Sequence, residues 1–183
     1  MKVSLTHVPH IANKIAIDLA NSGFVTLTHG LDSVSEVASK FLVQSIKKEV
    51  ALEERVHEIV DDNEEQIDFY LADERQLFFM IKKKLADEYG VILSYDDRYS
   101  DLSHKILDGL YDEDLLRYDV SENKVKNIIF EAMTSFISDS SDIESAVHDK
   151  LRSYKRKIIP GTDEFDILYE KFYQEELHKK GMA

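Results

Sequence analysis

Glu54-x-x-His57 is the first arrangement in this sequence with ligand-like spacing. Residues at i and i+3 leave a helix on the same side, so Glu53, Glu54, His57 and Glu58 together could offer carboxylate oxygens and an imidazole nitrogen to iron, manganese or zinc. A carboxylate-bridged metal pair would need a second Glu-x-x-His on a facing helix. The corresponding histidine, His148, has Ser145 three residues before it and Glu144 four before. In a chain with 36 acidic residues the same triplet also arises on an ordinary solvated helix face. His7-x-x-His10 is spaced like a ligand pair too, but Pro9 interrupts it and no cysteine or carboxylate is near, so an ordinary first helical turn reads better than zinc.

Two basic runs stand out, Lys82-Lys83-Lys84 and Lys155-Arg156-Lys157. Each falls near an expected helix end, where cations complement the helix dipole, and each is hemmed by acidic residues. Nucleic acid needs a continuous stripe able to neutralise several phosphates, and aromatic residues are poorly interleaved here, which argues against it. Docking of an acidic protein segment is the narrower role. Tyr169 and Tyr173, at the edge of an aromatic stripe, could add ring faces and hydroxyl donors to such a contact. No Gly-x-Gly-x-x-Gly, Walker-type loop, Gly-x-Ser-x-Gly elbow or His-Glu-x-x-His is present, so nothing nominates catalytic residues or a cofactor site.

The composition narrows the class. Hydrophobic residues make up 43% of the 183, charged residues 32%, and only 6 Gly and 2 Pro are available for turns, which describes a helical globular protein. Acidic residues outnumber basic ones by 36 to 23, giving a formal charge of −13 that repels phosphate backbones and anionic lipid. Cysteine is absent, so disulfides and thiolate chemistry are excluded. The first residues lack the unbroken apolar run of a secretory signal or spanning helix, and a cytoplasmic location is expected.

The elements that would position these residues follow from apolar periodicity and caps. Ile11, Ile15 and Leu19 form a helical face ending at Gly23. Ser33-x-x-Glu36 reads as a capping box opening a second helix, a third runs from about Leu52, and Asp73-x-x-Gln76 caps a fourth that ends near Gly90. Thr162, after the Pro160-Gly161 break, caps a helix whose stripe is Phe165, Leu168, Tyr169, Phe172 and Tyr173. Laid on itself, the chain matches: Ile11, Ile15 and Leu19 fall on Leu102, Ile106 and Leu110 at an offset of 91 (102−11), and Leu52 and His57 fall on Ile143 and His148 at the same offset. Between them Ser33, Val37 and Phe41 match Ser121, Val125 and Ile129 at 88 (121−33), as though one loop lost three residues and another regained them. The expected fold is all-α, about eight helices in two tandem four-helix repeats, residues 1–93 and 94–183, packed with pseudo-two-fold symmetry near the fourth helices.

The segment Gln76-Leu77-Phe78-Phe79-Met80-Ile81-Lys82-Lys83-Lys84-Leu85-Ala86 and the segment from Pro160 to Gly181, with its Asp166-Ile167-Leu168-Tyr169 and Tyr173-Gln174-Glu175-Glu176-Leu177, resemble the bacterial "domain of unknown function 507" family. Phe165 stands where the resemblance leads one to expect a tryptophan. The resemblance implies an all-helical cytoplasmic protein, present here as a tandem duplication, and brings no activity with it. The expected function is a non-catalytic interaction or scaffold module for a protein partner, a monomer with an internal pseudo-dimer or a weak homo-oligomer. The alternatives are a carboxylate–histidine metal protein and, through the two basic runs, an RNA-associated one.

Overall fold

The computed structural model describes residues 3–63, 73–154, 159–160 and 162–180. After a 3₁₀ turn at Leu5–His7 come α1 (Val8–Asn21), β1 (Val25–Leu27) and the long α2 (Gly30–Asp61), followed by α3 (Glu74–Leu85). The same order then recurs as α4 (Tyr95–Asp112), β2 (Leu116–Tyr118), the long α5 (Glu122–Arg152) and α6 (Asp163–Lys179). Gly23, with φ +80°, turns the chain from α1 into β1, and Asp114, with φ 54°, does the same between α4 and β2.

Three of the helices, α3, α4 and α6, start at side-chain caps. The Asp73 carboxylate accepts from Arg75 N at 3.0 Å and Gln76 N at 3.4 Å, and the Thr162 hydroxyl accepts from Phe165 N at 3.3 Å. Ser94 caps α4 through Asp97 N at 3.4 Å.

Each long helix is covered from both halves. α2 packs on α1 and α4, while α5 packs on α4 and α1, so the crossed contacts α1–α5 and α2–α4 join the halves into one apolar core. α3 lies on α2 and α6 on α5. A satellite cluster of Leu52, Val56, Val60, Ala86 and Val91 seats α3. β1 and β2 close the junction as an antiparallel pair with Val25 opposite Tyr118, Thr26 opposite Arg117 and Leu27 opposite Leu116. Spaced 91 apart (116−25), the strands meet so that the counterpart of each end residue is the partner of the other end, which is how a two-fold axis through Thr26 and Arg117 would pair them.

Several expectations are corrected. The described residues form six α-helices, not eight, plus a two-stranded sheet, because the second and third helices expected in each half are continuous. No proline or glycine interrupts residues 31–61 or 122–152, so the helix has no reason to stop. Ser33 therefore lies inside the first turn of α2, its hydroxyl donating to His29 O at 3.3 Å, rather than capping a helix. The halves meet mainly through α1, α2, α4, α5 and the strands rather than through the fourth helices, which add only side contacts such as that of His10 with Tyr173. The three-residue shift is absent too. Most buried positions of the long helices coincide at a constant 91: Val34 with Val125 (125−34), Leu52 with Ile143 (143−52), Val60 with Leu151 (151−60). Val34 and Val37 both face inward one turn apart, so a slip of three residues still lands stripe on stripe. The Phe69-Tyr70 junction lies outside the described residues.

Phe136, fully buried at 0% exposure, fills the middle of α5, whereas its counterpart on α2 is the half-buried Ser45. Truncating Phe136 to alanine is expected to cost about 3–5 kcal/mol, and Ser45→Ala less than about 1 kcal/mol, in urea denaturation. Equal effects would contradict the packing described for these two positions.

Candidate functional site

A buried ion network lies where α2, α3 and α4 meet. Glu49 is 3% exposed and Arg98 8%. Arg98 Nη1 lies 2.7 Å from Glu49 Oε2, its Nε donates to Ile92 O at 2.6 Å, and its guanidinium sits 5.1 Å from the centroid of the Tyr95 ring. Lys82 Nζ from α3 reaches Glu53 Oε1 at 2.7 Å and stands 3.7 Å from Glu49 Oε1, an oxygen with no hydrogen-bond donor in range. An uncompensated buried carboxylate would be costly, so the two cations are what allow Glu49 to remain there. The network holds three helices in register and uses the inward lysine of the basic run to do it.

The rest of that run points the other way. Lys83 and Lys84 are exposed, in company with Phe79 at 62% and Met80 at 57%. α3 therefore turns an apolar and basic face outward while its inward side chains, Phe78, Ile81 and Leu85, only partly bury themselves against the satellite core. Lys155, Arg156 and Lys157 lie outside the described residues.

The metal-ligand set is not drawn together. Glu53 is bonded to Lys82, Glu58 pairs with Arg55 at 2.8 Å, and Glu54 and His57 are exposed. His57 lies against Phe78 at 4.7 Å between ring centroids, and its counterpart His148 against Tyr169 at 5.8 Å, so both exposed histidines lie against aromatic rings. Among the described residues no group of three or more His, Asp or Glu side chains could hold a metal ion. His7 and His10 pack on Phe136 at 5.9 and 6.3 Å, and His10 meets the edge of Tyr173 at 5.5 Å. Burial lowers the pKa of His10, against an opposing pull from Glu170.

Tyr173, only 8% exposed, belongs to this aromatic stack instead of presenting a ring to a partner. Tyr169 is half-buried and stacks on it at 6.0 Å. Burial pushes the Tyr173 hydroxyl up to about 12, with Tyr169, Glu144 and Glu170 adding to the rise.

Sequence reasoning missed Glu49, Arg98 and the exposed pair Phe79 and Met80. The signal for Glu49 was available. It sits within the stripe Leu42, Ile46, Glu49, Leu52, Val56, a charge at a core position that requires a cation opposite it.

A family model described as "Protein of unknown function (DUF507)" matches residues 1–182 in one span that takes in both halves. The resemblance read from the two helical motifs is thereby confirmed. No curated protein matches the chain. No helix among the described residues is long and apolar enough to cross a membrane.

Two measurements check this geometry. Arg98→Met should destabilise the fold by about 3–5 kcal/mol, because Glu49 loses its main counter-charge, and adding Glu49→Met should recover most of the loss. Equal or additive losses would remove the pairing argument. Tyr173 folds as a neutral phenol with a pKa raised from 10.0 to about 12. Its contribution is complete below pH 10 and is lost as pH rises from about 10 to 12, so the melting temperature should fall over that window and fall less in Tyr173→Phe.

Proposed function

We propose that this chain, which belongs to the DUF507 family of proteins of unknown function, is a non-catalytic docking module that works in the cytoplasm and binds an acidic protein segment on the outer face of α3. The observation that carries this reading is the exposure of Phe79 (62%) and Met80 (57%) beside the exposed Lys83 and Lys84. Gln76, Phe79, Met80 and Lys83 recur at helical spacing, so one face offers two apolar anchors flanked by ammonium groups. In a chain of net charge −13 this is a local reversal of sign, suited to an amphipathic acidic segment whose apolar side chains reach Phe79 and Met80.

The internal correspondence supports the same reading. We take the chain to be two tandem copies of one helical unit arranged about an approximate two-fold, with the constant spacing of 91 and the strand register as support (116−25, 125−34). Two identical ends would bind two identical partners. Here the counterparts of Phe79, Met80, Lys83 and Lys84 on α6 are Glu170, Lys171, Gln174 and Glu175, so only one end keeps the apolar and basic surface.

The test is affinity capture from native cytoplasm with mass-spectrometric identification, using the wild-type chain and a Phe79→Asp, Lys83→Glu variant. Both positions are exposed, so circular dichroism of the variant should be unchanged. A partner rich in Asp and Glu is expected with the wild type and should fall at least about tenfold with the variant, corresponding to about 1.4 kcal/mol or more. Capture that is indifferent to both substitutions would refute the α3 reading.

A further inference from the structure

A cleft between α2 and α4, closed at one end by the turn Gly90-Val91-Ile92, is built differently from its counterpart in the other half. Its lining includes Phe41, Gln44, Ser45, Lys48, Arg98 and Lys105. Ser45 corresponds to Phe136 (136−45 = 91), whose fully buried ring fills the equivalent space with the rings of His7 and His10 against it. With a hydroxymethyl group in place of that ring, a cavity of about 50 Å³ remains. A water needs roughly 10–15 Å³ on the same measure, so there is room for one group of a few heavy atoms.

The charges around it also depart from the counterpart. Lys48 stands where the other half has Asp139, which is bonded to Lys180 at 2.9 Å. Among the described residues Lys48 has no ion-pair partner, and its Nζ lies 3.6 Å from where a Cβ on Gly90 would be, an ordinary contact distance that places the ammonium group against this turn. The carboxylates facing the cleft are already matched. Asp101 holds Lys105 at 2.6 Å, and Glu49 lies behind Arg98 at 2.7 Å. One positive charge is left over, with further N–H and O–H donors from Gln44, Ser45 and the guanidinium of Arg98, which is itself more than nine-tenths buried. A surplus cation, a buried guanidinium anchored by Glu49 and Ile92 O, further polar donors and apolar walls in a volume of this size suit a single tetrahedral oxyanion.

We propose that this cleft binds inorganic phosphate or the phosphate group of a small monoester, held by Lys48, Lys105, Arg98, Gln44 and Ser45. The site is separate from the outer face of α3 and does not depend on it. Inorganic phosphate and glycerol phosphate are each titrated into the full chain at constant ionic strength, following backbone amides by NMR, with acetate as the carboxylate arm. Saturable shifts are expected at Gln44, Ser45, Gly90 and Val91 with at least one of the phosphate ligands. Tighter binding of the monoester would mark an organic phosphate as the natural ligand, and tighter inorganic phosphate the free ion. Lys48→Asp, which installs the other half's residue at an exposed position, should weaken binding at least tenfold while leaving the rest of the spectrum unchanged. Ser45→Phe, which installs the other half's ring, should abolish it where the variant folds. Shifts that grow linearly without saturation, that survive Lys48→Asp, or that acetate reproduces at equal concentration would each overturn the proposal.

Discussion

Neither long helix can bury its apolar stripe within its own half. α2 carries buried residues from Val34 to Val60, and covering that length takes α1 from its own half, α4 from the other and α3 at its far end. α5 is treated the same way by α4, α1 and α6. A helix of about 30 residues is roughly 45 Å long, far more than one short neighbour can cover, so the exchange of first helices between halves is a geometric requirement of the long ones. The main core is accordingly a single cluster that draws on both halves, including Ile11, Leu19, Ile106, Leu110, Ile129 and Phe136. The strand pair is small beside this, but it fixes how the halves rotate about one another, since a shift of one residue would turn every strand side chain to the opposite face.

Within that shared frame, equivalent positions hold different chemistry. Glu49, Lys82 and Arg98 correspond to Ser140, Tyr173 and His7. One half therefore locks its last helix with buried ion pairs, and the other with a stack of Phe136, His10, Tyr173 and Tyr169. The two solutions respond to different conditions. Buried ion pairs replaced by well-packed apolar groups often leave stability unchanged, while breaking one partner alone is severe, so a network of this kind changes by concerted substitution. An aromatic stack tolerates gradual change, at the cost of holding a phenol and an imidazole away from the solvent that favours their charged forms.

The parts of the fold that were legible in the sequence rest on local signals. Asp73, Thr162 and Gly23 marked ends correctly because a cap or a left-handed glycine acts within a few residues. The helical character was legible from the stripes, and His57 and His148, 91 apart, each lie against a ring, of Phe78 and of Tyr169. What failed depended on distant partners. The break expected near Leu52 is not there, because no breaker residue interrupts α2. The strands are three residues each and exist only because the other one is opposite, so neither carries a recognisable alternation. Lys82 and Lys83 are neighbours in one basic run, yet one is held by Glu53 and the other faces solvent. Only the helix phase relative to the core separates them, and phase is the quantity that a run of like residues hides.

The contrast between α3 and α6 bears on which end can serve a partner. α6 buries Tyr173, Glu176 and Leu177, and Lys150 from α5 reaches both Glu175 at 2.7 Å and Glu176 at 2.9 Å. α3 has no buried residue at all; it is held by half-buried side chains over a satellite core and by the single lysine that enters the ion network. An element with so few buried contacts opens more readily than the core it rests on. Binding on its outer face would order it further, since a partner covering Phe79 and Met80 adds the apolar burial that the helix lacks on its inner side. The loosely seated helix is thus also the one with most to gain from being covered, and its tether through Lys82 keeps the exposed face aimed outward.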